Sequence, residues 1–233
     1  MVGLLFVYDL VSAQARVRSG AADAHGRWLL RVEHLSHLSP ERTADHWLAG
    51  VRWLQAPAAY YYDVAHICVT MAVLVAAFAV RPSAYRRARR ALVGINLVGL
   101  ATFFAYPVTP PRLLPGSGIV DIVALSHTWF SWESSAKVAA RANELASMPS
   151  LHAGWAVWVA LTVTSMTVHR GWRVAAWTHV ALTSVVVVVT GNHYLLDIAA
   201  GAVVALGSWQ AVRGAVRPPV AVELPERECA LVD

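Results

Sequence analysis

The sequence predicts an all-α integral membrane protein, with about six transmembrane helices in one bundle and interfacial amphipathic helices beside it. Three observations predict it. Of 233 residues, 57% are hydrophobic and 14% charged, with a mean hydropathy of +0.49; soluble domains carry about 25% charged residues. Apolar runs close to the ~20 residues needed to cross a bilayer recur along the chain. The arginines gather in short clusters beside those runs, as membrane-flanking charge does. The net charge of +5 therefore points to a bilayer and away from nucleic acid. Cys68, inside an apolar run, and Cys229, near the end, form neither a disulfide framework nor a metal spacing.

Residues 1–15 are apolar but short and are interrupted by Asp9. They read as a tilted or partial first span, or the end of one that starts upstream; they lack the basic start and cleavage site of a removable signal. Over residues 22–56, Trp28, Leu29, Val32, Leu35 and Leu38, then Trp47, Leu48, Val51 and Leu54, recur at three- and four-residue spacing among polar residues. That pattern predicts amphipathic helices in the membrane interface. Residues 60–80 and 91–108 read as spans joined by an arginine-rich loop. Residues 109–147 form a polar outer loop, opened by Pro107, Pro110, Pro111 and Pro115, which forbid a continuing helix. Three more spans are expected at 151–168, 173–190 and 193–212. The chain thus divides into an N-terminal part at 1–59, a core at 60–212 and a tail at 213–233, which is rich in Pro and Glu and expected to be disordered.

Positive charge in short loops sets orientation. The 81–90 loop carries five arginines and is expected in the cytoplasm. Alternation then puts Arg170, Arg173, Arg213 and Arg217 on the same side, and the 109–147 loop and the 190–193 turn on the other. Arg112, Ser150, His152, His193 and Asp197 all fall on that second, non-cytoplasmic face. Polar residues that merely decorate an interface would occur on both faces.

His193 and Asp197 are four residues apart, on one face of the helix that Gly191 and Asn192 let them begin. An unpaired carboxylate a turn into an apolar stretch costs several kcal/mol, so Asp197 needs His193 as its partner. A carboxylate on one imidazole nitrogen makes the other more basic, which suits a nucleophile. Ser150, after Pro149, is a natural helix N-cap, and free N–H groups at such a terminus attract anions. His152, in the first turn, is placed to protonate a leaving oxygen. Arg112, held by a stiff proline segment, offers a fork to phosphate oxygens. Lys137 and Arg141 are weaker candidates, and Trp129, Trp132, Trp155 and Trp158 read as interfacial and packing residues. Two histidines, an arginine and a helix N-terminus, with no cluster of three metal ligands in the pattern, point to metal-free phosphoryl transfer without a cofactor.

Pro149-Ser150-x-His152 and His193-x3-Asp197 resemble the two marker motifs of the type 2 phosphatidic acid phosphatase superfamily. The stretches Met148–Trp155, Gly191–Asp197 and Thr109-Pro110-Pro111-Arg112 look most similar to its inositol-phosphorylceramide-synthase-like branch. The resemblance covers about residues 60–212. It implies that His193 is the nucleophile forming a phosphohistidine, Asp197 its orienting partner and His152 the general acid. Ser150 and Arg112 would bind phosphate. Two superfamily cations are replaced here, by Ala105 and Val187, which leaves Lys137 or Arg141 as candidates to supply the charge. The expected activity is hydrolysis of a phosphate or pyrophosphate ester of a polyprenyl or glycerolipid. The alternatives are transfer to a lipid or inositol acceptor, or a non-catalytic lipid-binding role. The expected location is the bacterial cell membrane, with the site on the non-cytoplasmic face.

Overall fold

The computed structural model describes residues 19–126 and 145–215. These are helices and connections, with no strand among them. In chain order they are α1 (Ser19–Leu35), α2 (Glu41–Gly50), α3 (Arg52–Tyr60), a π-helical turn (Tyr61–Ala65), α4 (His66–Val80), α5 (Pro82–Ala105), the short α6 (Ile122–Leu125), α7 (Leu151–Met166), α8 (Arg170–Val189) and α9 (Leu195–Ala215). The expected span at 1–15, Lys137, Arg141, Trp129, Trp132 and the tail beyond 215 lie outside the described residues.

Among the described residues, four stretches are long and apolar enough to cross a bilayer: Arg52–Val80, Pro82–Ala105, Arg170–Val189 and Leu195–Val212. The sequence suggested six. Besides the undescribed first segment, the difference is α7, which is apolar but only 16 residues long. At 1.5 Å per residue it covers about 24 Å, short of the ~30 Å hydrocarbon core. It does not need the full length because it is the central helix. It packs against α4, α5, α8 and α9 and buries Ala153, Gly154, Ala156, Val157, Trp158, Val159, Ala160 and Thr162.

Local signals set the helix ends. Pro82 at the first turn starts α5, and Tyr106-Pro107 stops it. At the end of α8, Gly191 takes φ +66°. Its N–H bonds Val188 O at 2.9 Å while Asn192 N–H bonds Val187 O at 3.0 Å, the paired bonds of a Schellman cap.

The bundle core is built from small and aliphatic residues and two tryptophans. Ala88, Ala91, Leu92 and Ile95 of α5 meet Val157, Trp158 and Val159 of α7, and Ala205 and Trp209 of α9. Trp158 is fully buried, and its indole N–H donates to Ala88 O at 2.8 Å. Close packing in lipid relies on small residues, and Gly201 shows how closely. A Cβ there would lie 2.2 Å from Ser150 O and 3.3 Å from Gly154 N. At Gly99 an added Cβ would lie 2.7 Å from Leu151 Cδ2, so the start of α7 is level with Gly99 of α5.

α1 and α2 pack one face each. α1 buries Ala22, Gly26, Leu29 and Glu33, and α2 buries Glu41, Asp45 and Leu48, at three- and four-residue spacing. Trp28, Leu35 and Trp47 lie exposed. Three of the buried residues are acidic, which the sequence pattern did not anticipate.

Candidate functional site

His193 does not begin a helix as the spacing suggested. It sits in the turn between α8 and α9, with its N–H on Val187 O at 3.1 Å, and α9 starts two residues later. The reason is local. Asp197 reaches back from the first turn of α9 to accept Tyr194 N–H at 3.1 Å, half of a capping box, and that fixes the helix start beyond His193. The expected pairing is present all the same: His193 Nδ1 lies 3.3 Å from Asp197 Oδ2. Ser147 Oγ–H also donates to Asp197 Oδ2, at 2.5 Å. One carboxylate oxygen thus gathers a hydroxyl, a backbone amide and an imidazole. With Nδ1 donating to that carboxylate, the His193 lone pair is on Nε2.

Nε2 faces His152. The two rings approach at 3.4 Å between His193 Nε2 and His152 Nδ1. His152 arrives there because Ser150 caps α7, its Oγ accepting Ala153 N–H at 3.3 Å. Ser150 N–H in turn donates to Asp197 O at 3.0 Å. The absent side chain at Gly201 lets α9 come this close to Ser150.

Arg112 lies in a 3-10 turn (Pro111–Leu113) and is tied to the same corner: its backbone N–H donates to Gly191 O at 2.9 Å. Nε donates to Asn192 Oδ1 at 2.8 Å, and Nη1 pairs with Asp121 at 2.5 Å. The guanidinium is therefore anchored through two nitrogens beside His193. All five sequence-chosen residues converge at one end of the bundle. Ala105 closes α5, and buried Val187 contributes only its carbonyl, which holds Asn192 and His193.

Sequence reasoning missed several neighbours. Tyr62, on the π-helical turn, stacks on His152 with centroids 4.4 Å apart and planes at 22°. The His66 ring lies 4.1 Å from that of His152, tilted by 56°, and its Nδ1 donates to Tyr62 O at 2.8 Å. Such π-turns recur at functional sites, but an apolar run carries no spacing that announces one. Glu33 Oε1 accepts Leu196 N–H at 2.7 Å and Glu41 Oε1 accepts Leu195 N–H at 3.2 Å. Both carboxyls are buried. They satisfy amide groups at the start of α9, the helix that carries Asp197. Burial pushes the Glu33 carboxyl up to about 8, reinforced by the neighbouring Glu41 and opposed by the Leu196 N–H. Burial also raises the Tyr194 phenol, with Asp197, Glu33 and Glu41 adding to it. Tyr194 O–H donates to Thr109 O at 3.0 Å, which ties the turn to the proline segment.

The arrangement provides an imidazole oriented by a carboxylate, a second imidazole against its free nitrogen, and an anchored guanidinium beside them. A family model described as the PAP2 superfamily matches residues 27–211, from within α1 to near the end of α9. No curated protein and no solved structure matches the chain. The match takes in both histidine motifs, the buried Glu33, Glu41 and Asp45 and most of the described bundle, so the chain belongs to the PAP2 superfamily.

Proposed function

We propose that this membrane protein hydrolyses a phosphate or pyrophosphate ester of a lipid through a phosphohistidine, with the site on the non-cytoplasmic face. The observation that carries the reading is the His193 ring: Nδ1 is engaged by Asp197 while Nε2 faces His152. In the first step His193 Nε2 forms a bond to phosphorus, and the bond from phosphorus to the leaving oxygen breaks as His152 gives that oxygen a proton. In the second step His152 takes a proton from water, the oxygen bonds to phosphorus, and the P–N bond breaks to release phosphate. Arg112 and the N–H groups at the Ser150 cap would neutralise the phosphoryl oxygens. PAP2 superfamily membership supports the class of reaction. Arg81 between α4 and α5, with Arg86, Arg87, Arg89 and Arg90 in the first turns of α5, lies at the other end of α5 from the site and supports the sidedness.

The test is phosphate release from a panel of lipid phosphates and pyrophosphates by purified protein in detergent with EDTA. Activity that survives EDTA and is lost in His193→Ala is the expected result. Equal activity in His193→Ala would overturn the nucleophile, and loss with EDTA alone would overturn the metal-free route. Adding lipid or inositol acceptors separates hydrolysis from transfer.

A further inference from the structure

Apart from the arginines at 81–90, positive charge also gathers beside the His193 centre, around a cavity. α1 and α2 and the turn at 116–119 enclose a cavity of about 880 Å³. Arg27 and Arg31, four residues apart, and His34, one turn on, line it from α1, and Arg42 lines it from the first turn of α2. The three arginines are exposed. Among the described residues the ion pairs are Arg112 with Asp121 and His193 with Asp197, so none of the three is neutralised by a carboxylate there. The acidic residue in the wall, Glu41, is buried, and its Oε1 is turned to Leu195 N–H. A Cβ on Gly118 would lie 3.4 Å from the Arg42 guanidinium, so that side chain is laid over the turn. Ser39, Thr43 and Ser117 add neutral hydroxyl donors.

We infer that this cavity is a second anion site, built to bind a phosphate-bearing group independently of the His193 centre. Guanidinium forks match phosphate oxygens in geometry as well as charge. Three of them around one cavity, with no carboxylate partner among the described residues, favour an anion there. The ligand chemistry shared by all candidates is a phosphate mono- or diester, either a lipid headgroup or a soluble phosphate ester. Trp28, 55% exposed, and Leu35, 74% exposed, stand on the same helix and suit the headgroup region of a bilayer. The site is distinct from the catalytic corner but touches it. Ile119, in the cavity wall, lies where a Cβ on Gly191 would meet its Cγ2 at 2.5 Å. Cavity and centre therefore share one strap of chain but use different arginines.

The test uses the full chain carrying His193→Ala, so that no probe is consumed. Native mass spectrometry in detergent measures retention of phosphatidylglycerol against phosphatidylcholine. Calorimetry with glycerol 3-phosphate in the absence of added lipid tests the soluble source. Anion binding should fall about tenfold or more in R27Q/R31Q/R42Q, as expected for losing charge-assisted bonds, and should persist in R112Q. It should also weaken as salt rises. Retention of phosphatidylglycerol alone identifies a headgroup site; arginine-dependent binding of glycerol 3-phosphate identifies a soluble ester. Anion binding that is unchanged in the triple variant, or that disappears in R112Q instead, would overturn the inference. Circular dichroism of each variant separates lost binding from lost fold, and R31Q alone, expected to weaken binding in the same direction, stands in should the triple variant unfold.

Discussion

Asp197 accepts from three donors through one oxygen, and no neutral side chain of the same shape can do so. In Asp197→Asn the amide can present either an oxygen or an NH₂ group to this cluster, so the His193 ring loses its fixed acceptor. Phosphate release should fall by at least ~10²-fold, the scale of a misaligned acid–base pair, while thermal stability drops far less. Steady-state rates and melting curves on the same preparation check this. Glu33 makes a different prediction. Its carboxyl is raised to about 8 in the folded protein from an ordinary value of 4.5. A raised folded value means that the stability from holding the proton is complete below about 4.5. It is then lost as pH climbs through about 8. The wild-type melting temperature should therefore decline across that window, and Glu33→Gln should flatten the decline; an unchanged slope would refute the assignment. The Asp197–His193 pairing was legible in the sequence because an aspartate in an apolar run needs a partner and one stood four residues away. Glu33 and Glu41 were not legible. A carboxylate on an amphipathic helix reads as its wet face, and the amides it caps are more than 150 residues further on.

At the scale of the helix, Gly201 and Gly207 on α9 form a paired experiment. A methyl group at Gly201 would lie 2.2 Å from Ser150 O, whereas at Gly207 it would meet nothing within 4 Å. Gly201→Ala must push α9 away from α7, costing at least the ~1–3 kcal/mol of an overpacked core and separating His152 from His193. Gly207→Ala should be neutral or stabilise by up to about 1 kcal/mol through helix propensity. Thermal unfolding and phosphate release measured on both variants would show whether the glycine sets the site or merely dilutes the helix. The Ser150 cap was readable in advance, since Ser after Pro and before an apolar run has few other uses. The start of α9 was not, because the side chain of Asp197 both pairs with His193 and closes the helix behind it.

For the whole molecule, hydropathy disclosed the bundle, because apolar character is distributed over many residues, while the charge pattern proposes its sidedness. The short central α7 was less clear: apolar composition does not distinguish a helix facing lipid from one wrapped by other helices. The sidedness is directly measurable. In a Cys68→Ser/Cys229→Ser background, Ser117→Cys should react with a membrane-impermeant maleimide in intact cells. Ser83→Cys should react only after permeabilisation; the reverse pattern would invert the orientation.

The level of Leu151 against Gly99 has a further consequence. α5 continues six residues past Gly99, to Ala105, about 9 Å along the axis at 1.5 Å per residue. The imidazoles thus lie below the end of α5 rather than level with it. A substrate of the proposed reaction would have to carry its phosphate down past the end of α5 to meet them. Reach would then join charge as a requirement on the substrate, since a bulky or strongly hydrated group beside the phosphate resists that descent.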